Sequence, residues 1–99
     1  MPLFTIYAID VPDSGPLRAA HGEEHRDRLR NAADPVRVVI AGPLRNDDDE
    51  PVGSLLIVEA DSADIVCHFV EADPYRINSI YDTVDIRPFA VSIGALDSG

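Results

Sequence analysis

Two side chains from distant parts of the chain have the chemistry needed for acid–base catalysis. His25 lies in a charged segment, on the side where apolar residues recur at helical spacing, whereas Glu23, Arg26, Asp27 and Arg30 are assigned to the solvent side. We therefore expect its imidazole to meet a cavity rather than solvent. An unperturbed imidazole has a pKa of about 6.5, which suits proton transfer at neutral pH. The competing interpretation is a core histidine satisfied by one hydrogen bond.

Asp73 is the second candidate. It is followed by Pro74, and this pair is typical of a short helix with aspartate as N-cap and proline at its first position. The functional alternative is a carboxylate that orients His25 and stabilises its charged form. Nothing in the local sequence brings the two residues together, so both interpretations stay open.

Three weaker candidates could line a pocket. Tyr7 lies in the middle of a predicted strand, and Ser54 begins another. Core packing of the tyrosine and turn hydrogen bonding of the serine are the alternatives. Arg87, in the last predicted strand, completes this group.

Neither possible metal site has a complete ligand pattern. His21 and His25 are one helical turn apart, but no third ligand lies at a recognisable spacing, and the order His-Gly-Glu-Glu-His is not that of metalloproteases. The acidic run from Asp47 to Glu50 is contiguous, whereas calcium loops place ligands at alternating positions. We predict a solvated turn there, and no bound metal or cofactor.

Composition and turn residues divide the chain into six elements in the order β-α-β-β-α-β. The predicted elements are a strand Leu3–Ile9, a helix over 17–33 ended by Asp34-Pro35, a central strand Val36–Leu44, a returning strand Gly53–Ala60, a helix capped by Asp61 or Ser62, and a strand Tyr81–Ile93 interrupted at Pro88. This order predicts one α+β domain over residues 1–99, a ferredoxin-like sandwich with both helices on one face of the sheet.

The first predicted strand is apolar on both of its sides. One side carries Phe4, Ile6 and Ala8, and the other carries Leu3, Tyr7 and Ile9. Two helices can cover only one face, so the other would expose a large apolar patch. A second subunit packing sheet to sheet is the simplest cover, and we predict a homodimer.

The charge balance excludes two classes of partner. Eight arginines and no lysine stand against eighteen acidic residues in 99, a net charge of −10. Such a chain repels nucleic acid phosphates and anionic lipids. No apolar run approaches the roughly 18–20 residues of a membrane span, and the N-terminus lacks the features of a signal peptide. With the single Cys67 unable to form an internal disulfide, a cytoplasmic location is expected.

Several short motifs, in order and spacing, resemble the YCII-related (YciI-like) family along nearly the whole chain. They are Leu17-Arg18, Glu23-x-His25, Leu29, Ala41-Gly42-Pro43-Leu44, the run from Pro51 to Ala60, Ala72-Asp73-Pro74-Tyr75 and Ile86-Arg87-Pro88-Phe89. The resemblance implies a ferredoxin-like fold that dimerises like the small α/β-barrel proteins. It also implies an active centre of one histidine and one aspartate, here His25 and Asp73.

The resemblance further implies the kind of reaction. One type of relative is a dehydrochlorinase acting on chlorinated hydroxyhydroquinones, and muconolactone isomerases share the general architecture. We therefore expect a small-molecule enzyme that performs metal-free elimination or isomerisation with His25 and Asp73. The alternative is a non-catalytic dimer that binds a small ligand. The enzyme interpretation requires that His25 face a pocket, with Asp73 within hydrogen-bond reach.

Overall fold

The computed structural model describes residues 2–96. Its elements are β1 (Leu3–Asp10), α1 (Gly15–Arg30), β2 (Arg37–Arg45), β3 (Pro51–Glu59), α2 (Ala63–Glu71), α3 (Pro74–Ile77) and β4 (Tyr81–Phe89). The predicted β-α-β-β-α-β order is confirmed, with the short α3 added after α2. Ser62, one of the two predicted caps, is the N-cap of α2, and its Oγ accepts a hydrogen bond from the Ile65 backbone N–H at 3.3 Å.

The four strands form one sheet in the order β2-β3-β1-β4, and every neighbouring pair is antiparallel. This is the ferredoxin-like arrangement that the element order predicted. The prediction of a central position for the strand beginning near Val36 is wrong, because β2 is an edge strand. The crossover through α1 makes β1 and β2 parallel to each other, and β3 fits between them as antiparallel partner of both.

Two predicted elements are too long. The first helix ends at Arg30, where the Asn31 side chain donates to the Asp27 carbonyl oxygen at 2.9 Å, so the chain leaves the helix before Pro35. The last strand ends at Phe89 rather than Ile93. Phe89 pairs with Leu3, the first residue of β1, so β1 has no further strand residue with which β4 could continue to pair.

Both helices pack on the same face of the sheet, as predicted. Leu29 of α1 and Val66 of α2 belong to one buried cluster with Ile6 and Val58 of the two inner strands. Ile6, Val58 and Val66 are at most 1% exposed. Alternate strand residues therefore face a helix-covered core on this side of the sheet.

Within residues 2–96 no helix covers the opposite side of the sheet, and only the segment 91–96 approaches one end of it. Several large apolar side chains on this side are exposed to solvent: Ile40 is 54% exposed, Tyr7 48%, Phe89 40% and Leu55 39%. Their positions in the strand registers place them together with Ile57 on one surface, called the open face below. Within residues 2–96, no helix has the length and apolarity needed to cross a membrane.

Candidate active site

His25 and Asp73 lie together in the helix-covered half of the molecule. The His25 Nδ1 atom is 2.7 Å from Asp73 Oδ1, although 48 positions separate the two residues in the chain. Their side chains are only 8% and 5% exposed. His25 is presented by the third turn of α1, and Asp73 by the N-cap position of α3.

Asp73 is held by two further donors. The Tyr75 backbone N–H donates to Oδ1 at 2.8 Å, the capping bond that begins α3. Arg28 Nη1 donates to Oδ2 at 3.2 Å, and its Nη2 is tied to the Phe69 carbonyl oxygen at 2.7 Å. The two sequence-based interpretations of Asp73 are therefore compatible, because one carboxylate caps the helix and contacts the imidazole.

This arrangement determines which nitrogen of His25 can react. An ionised carboxylate only accepts hydrogen bonds, so Nδ1 of His25 must carry the proton that Asp73 accepts. In the neutral ring Nε2 is then the unprotonated nitrogen. It has no hydrogen-bond partner among residues 2–96, and His25 contributes to the wall of a cavity. A base and its orienting carboxylate are thus in place.

Aromatic packing holds the imidazole ring in this orientation. The His25 ring stacks on the ring of Tyr75 with centroids 3.8 Å apart and planes 6° from parallel. Tyr81 meets both rings edge-on, at 6.4 Å from His25 and 5.6 Å from Tyr75. Contacts on a face and an edge leave the ring little freedom to rotate away from Asp73.

A second polar cluster supports the neighbouring wall. Arg18 Nε lies 2.5 Å from Asp10 Oδ2, and Ser14 Oγ donates to the same oxygen at 2.6 Å. Arg18 Nη2 donates to Ser54 Oγ at 3.0 Å, and its guanidinium carbon lies 4.9 Å from the centre of the Tyr75 ring. Arg18 therefore joins α1, β1 and β3 and covers the outer face of the ring that supports His25.

The cavity beside His25 has a volume of about 490 Å³, within the range of small-molecule sites. Much of its wall is apolar and comes from α1, β2 and β3. The residues that line it are Gly15, Arg18, Ala19, His25, Arg26, Leu29, Ala41, Gly42, Pro43, Pro51, Ser54, Leu56 and Tyr75. A site of this size, with few polar groups near a paired histidine, suits a small, mostly apolar ligand.

The two tyrosines beside His25 stay protonated at neutral pH. Burial raises the pKa of Tyr75, and the nearby guanidinium groups of Arg18 and Arg26 only partly oppose that rise. Burial raises the pKa of Tyr81 further. Tyr81 Oη is nevertheless a buried hydroxyl without a hydrogen-bond partner among residues 2–96.

The structure distributes the other sequence candidates between the two faces of the sheet. Ser54 is buried and lines the cavity with His25. Tyr7 and Arg87 lie on the opposite side, outside this cavity, because their strand positions have the other parity. Arg87 is paired there with Asp85 at 3.0 Å.

The predicted solvated turn is present at residues 46–50. The Asn46 side chain accepts hydrogen bonds from the backbone N–H groups of Asp48 and Glu50, both at 3.0 Å. The acidic side chains of this turn are exposed, and Arg45 pairs with Asp49 at 2.8 Å. Across residues 2–96 no group of three or more His, Cys, Asp or Glu side chains is arranged to hold a metal ion.

Sequence reasoning missed three contributors to the site. Tyr75 and Arg18 were noted only as parts of family-like motifs, and Arg26 was assigned to the solvent side of its helix. The local signal for Arg26 is Gly22, one turn earlier in a helix interior. A Cβ atom at Gly22 would lie 2.8 Å from Arg26 Nη1, so the missing side chain lets Arg26 fold along the helix to the cavity.

Comparisons with known proteins agree with this architecture. The solved structure of 5-chloro-2-hydroxyhydroquinone dehydrochlorinase (TftG) from Burkholderia phenoliruptrix AC1100, in complex with 2,5-dihydroxybenzoquinone, is 30% identical with a TM-score of 0.78, covering 89% of this chain and 93% of that one. A Bacteroides thetaiotaomicron protein, provisionally named an antibiotic biosynthesis monooxygenase, shares the fold at 17% identity, with a TM-score of 0.61 and coverages of 97% and 93%. These neighbours are of the ferredoxin-like, dimeric α/β-barrel type.

Sequence comparison gives the family directly. The chain is 33% identical over 93 residues to protein YciI of Escherichia coli O6:H1, an alignment covering 88% of this chain and 95% of that protein. The sequence model of the YCII-related domain family matches residues 2–90 of the chain. The chain therefore belongs to the YCII-related domain family.

Proposed function

We propose that the protein is a small-molecule enzyme that performs metal-free proton transfer, an elimination or an isomerisation, with His25 as general base and acid. One observation carries the proposal: His25 is 2.7 Å from the buried Asp73 at the wall of a cavity of about 490 Å³. An isolated core histidine would need neither a buried charged partner nor a position in the wall of a cavity.

Each step of such a reaction has a group in the site. Nε2 of His25 takes a proton from the substrate, and Asp73 stabilises the imidazolium that forms. In an elimination, the electron pair of the broken bond to hydrogen forms a new double bond. The leaving group departs with the electron pair of the bond that held it. The proton and the leaving group come from one molecule, so the redox state balances without an external oxidant or cofactor. Ser54 and Arg18 are proposed to contact the substrate.

The dehydrochlorinase relative suggests a first substrate. Its name describes loss of hydrogen chloride from 5-chloro-2-hydroxyhydroquinone, and its solved complex holds 2,5-dihydroxybenzoquinone. A single-ring oxygenated molecule of this kind is compatible in size with the cavity of about 490 Å³ beside the His25–Asp73 pair. We propose single-ring phenols, quinones and lactones as the substrates to be examined.

The test measures chloride release from 5-chloro-2-hydroxyhydroquinone and rearrangement of muconolactone by the wild-type protein, His25→Gln and Asp73→Asn. We expect turnover to fall by about 100-fold or more in His25→Gln, the size of a typical general-base contribution. His68→Gln is the matched control, because His68 is exposed on α2. Turnover that survives His25→Gln in a folded protein would refute the mechanism, and His25-dependent binding without turnover would favour the non-catalytic alternative.

We also propose that the protein is a cytoplasmic homodimer joined through the open face. The exposed apolar side chains of Ile40, Tyr7 and Leu55 support this, because a surface of that kind is a common subunit interface. Tyr7 and Arg87 are then assigned to the interface rather than to the His25 cavity. Sedimentation at micromolar concentration should give twice the chain mass of 10.8 kDa, and a monomer would rule the interface out.

A further inference from the structure

Among residues 2–96, the side chains lining the cavity that can carry a charge at neutral pH are all basic. They are Arg18, His25 and Arg26, and no acidic residue lines this wall among residues 2–96. The chain as a whole carries eighteen acidic residues against eight arginines. A cavity free of carboxylates is therefore a local exception in a strongly acidic protein. Its local charge favours a negative ligand, while the surrounding protein repels one at long range.

The two arginines differ in how much of their charge is available. Arg18 is compensated by Asp10, with contacts of 2.5 and 3.0 Å, and it also donates to the Gly53 carbonyl oxygen at 2.7 Å. Arg26 is exposed and makes no ion pair or hydrogen bond with any of residues 2–96. Arg26 is therefore the guanidinium whose donors remain free for a ligand in the cavity.

A second free donor lies beside it. A Cβ atom at Gly22 would be 2.8 Å from Arg26 Nη1 and 3.1 Å from Tyr75 Oη, so both groups lie beside the space that the glycine leaves. Tyr75 Oη has no hydrogen-bond partner among residues 2–96, and the phenol keeps its proton at neutral pH because burial raises its pKa. Glycine inside a helix is less favourable than alanine, and here it leaves room for both donors.

Resting on the proposed function of the same site, we propose that the ligand of this cavity is a single-ring monoanion, a carboxylate or an acidic enolate. Its charged oxygen is bound by the Arg26 guanidinium and the Tyr75 hydroxyl, and its ring lies against Pro43 and Leu56. Arg26 is then the residue that selects for charge. Its action differs from that of His25, which moves the proton.

The test uses a matched pair of probes, 2,5-dihydroxybenzoate and 2,5-dihydroxybenzamide, which differ in charge and little in shape. Their dissociation constants are measured by calorimetry and by NMR for the wild-type protein, Arg26→Gln and Arg30→Gln. Arg30 is the matched control, because it is on the same helix but exposed and paired with Asp27 at 3.1 Å. Both variants change the net charge equally.

We expect the wild-type protein and Arg30→Gln to bind the benzoate about tenfold more tightly than the benzamide, as for a charge-assisted hydrogen bond. Arg26→Gln should reduce this preference to about twofold or less, and Gly22→Ala should reduce it while retaining both donors. Equal affinity for the two probes in the wild-type protein would overturn the proposal. So would an unchanged preference in Arg26→Gln, or no benzoate binding at millimolar concentration.

The outcome is separable from that of the proposed function. A protein that prefers the benzoate through Arg26 but has no His25-dependent turnover retains the anion site and loses the enzymatic proposal. His25-dependent turnover in a protein without the charge preference has the opposite meaning.

Discussion

The two faces of the sheet have similar apolar composition and opposite environments. On the helix-covered face Phe4, Ile6 and Ala8 are at most 6% exposed, whereas Tyr7 between them on the open face is 48% exposed. All five buried polar residues of the described chain lie on the covered side: Asp10, Ser14, His25, Ser54 and Asp73. An apolar strand pattern thus indicates surfaces that become buried, whereas the polar groups inside the covered layer indicate the candidate active site.

The largest contrast is expected between two adjacent leucines of β3. Leu56 is 4% exposed under the helices, and Leu55 is 39% exposed on the open face. Leu56→Ala should lower the free energy of unfolding by about 2–5 kcal/mol, the usual range for a buried leucine. Leu55→Ala should lower it by about 0.5 kcal/mol or less under monomeric conditions. Urea unfolding of both variants measures the difference, and equal losses would contradict the assignment of the two faces.

A pair of aspartates extends the contrast to charged groups. Asp73 is buried between His25, Arg28 and the Tyr75 N–H, whereas Asp85 forms an exposed pair on the other side of the sheet. Asp73→Ala should destabilise the fold by about 3 kcal/mol, because it leaves buried donors without a partner. Asp85→Ala should change stability by about 0.5 kcal/mol or less. Thermal unfolding of the two variants tests this, and similar melting temperatures would refute it.

The loss of folding stability at alkaline pH should depend on a tyrosine buried on the covered face. Tyr81 has a raised pKa when folded, so above about pH 10 the unfolded phenol loses its proton while the folded one keeps it. Stability is therefore full below pH 10 and falls above it, by up to about 1.4 kcal/mol per pH unit. Tyr81→Phe should reduce that slope. Urea midpoints between pH 8 and 11 give the slopes of the wild-type protein and the variant, and identical slopes would contradict the prediction.

The smallest effect on the folded chain is expected for lysine on the open face. Leu55→Lys and Leu17→Lys change side chains exposed by 39% and 38%, and each should alter unfolding of the monomer by about 0.5 kcal/mol or less. Only Leu55→Lys should shift a dimer towards monomer, because a buried lysine opposes association through the sheet. Sedimentation over a concentration series distinguishes them, and equal dissociation would place the interface elsewhere.

Local features of the sequence carried much of the fold and part of the site. The Asp73-Pro74 pair predicted the helix cap that is observed, and Ser62 was one of two predicted caps for α2. The helical spacing around His25 correctly predicted that its ring faces inward. The same spacing placed Arg26 on the solvent side. A long side chain can fold back along the helix wherever a glycine leaves space. Helical spacing predicts the face on which a residue lies, but it does not predict the path that a long side chain takes.

The sequence by itself determined the order of the elements, the polar hairpin turn and the apolar nature of both strand sides, because each depends on neighbours within a few residues. The tertiary structure decided which side the helices cover and that His25 meets Asp73 across 48 positions. It also decided that Asp10 pairs with Arg18, whereas Arg26 pairs with none of residues 2–96. These outcomes depend on how α1, α3 and the sheet pack together, and that packing is a sum over distant contacts that no local pattern contains.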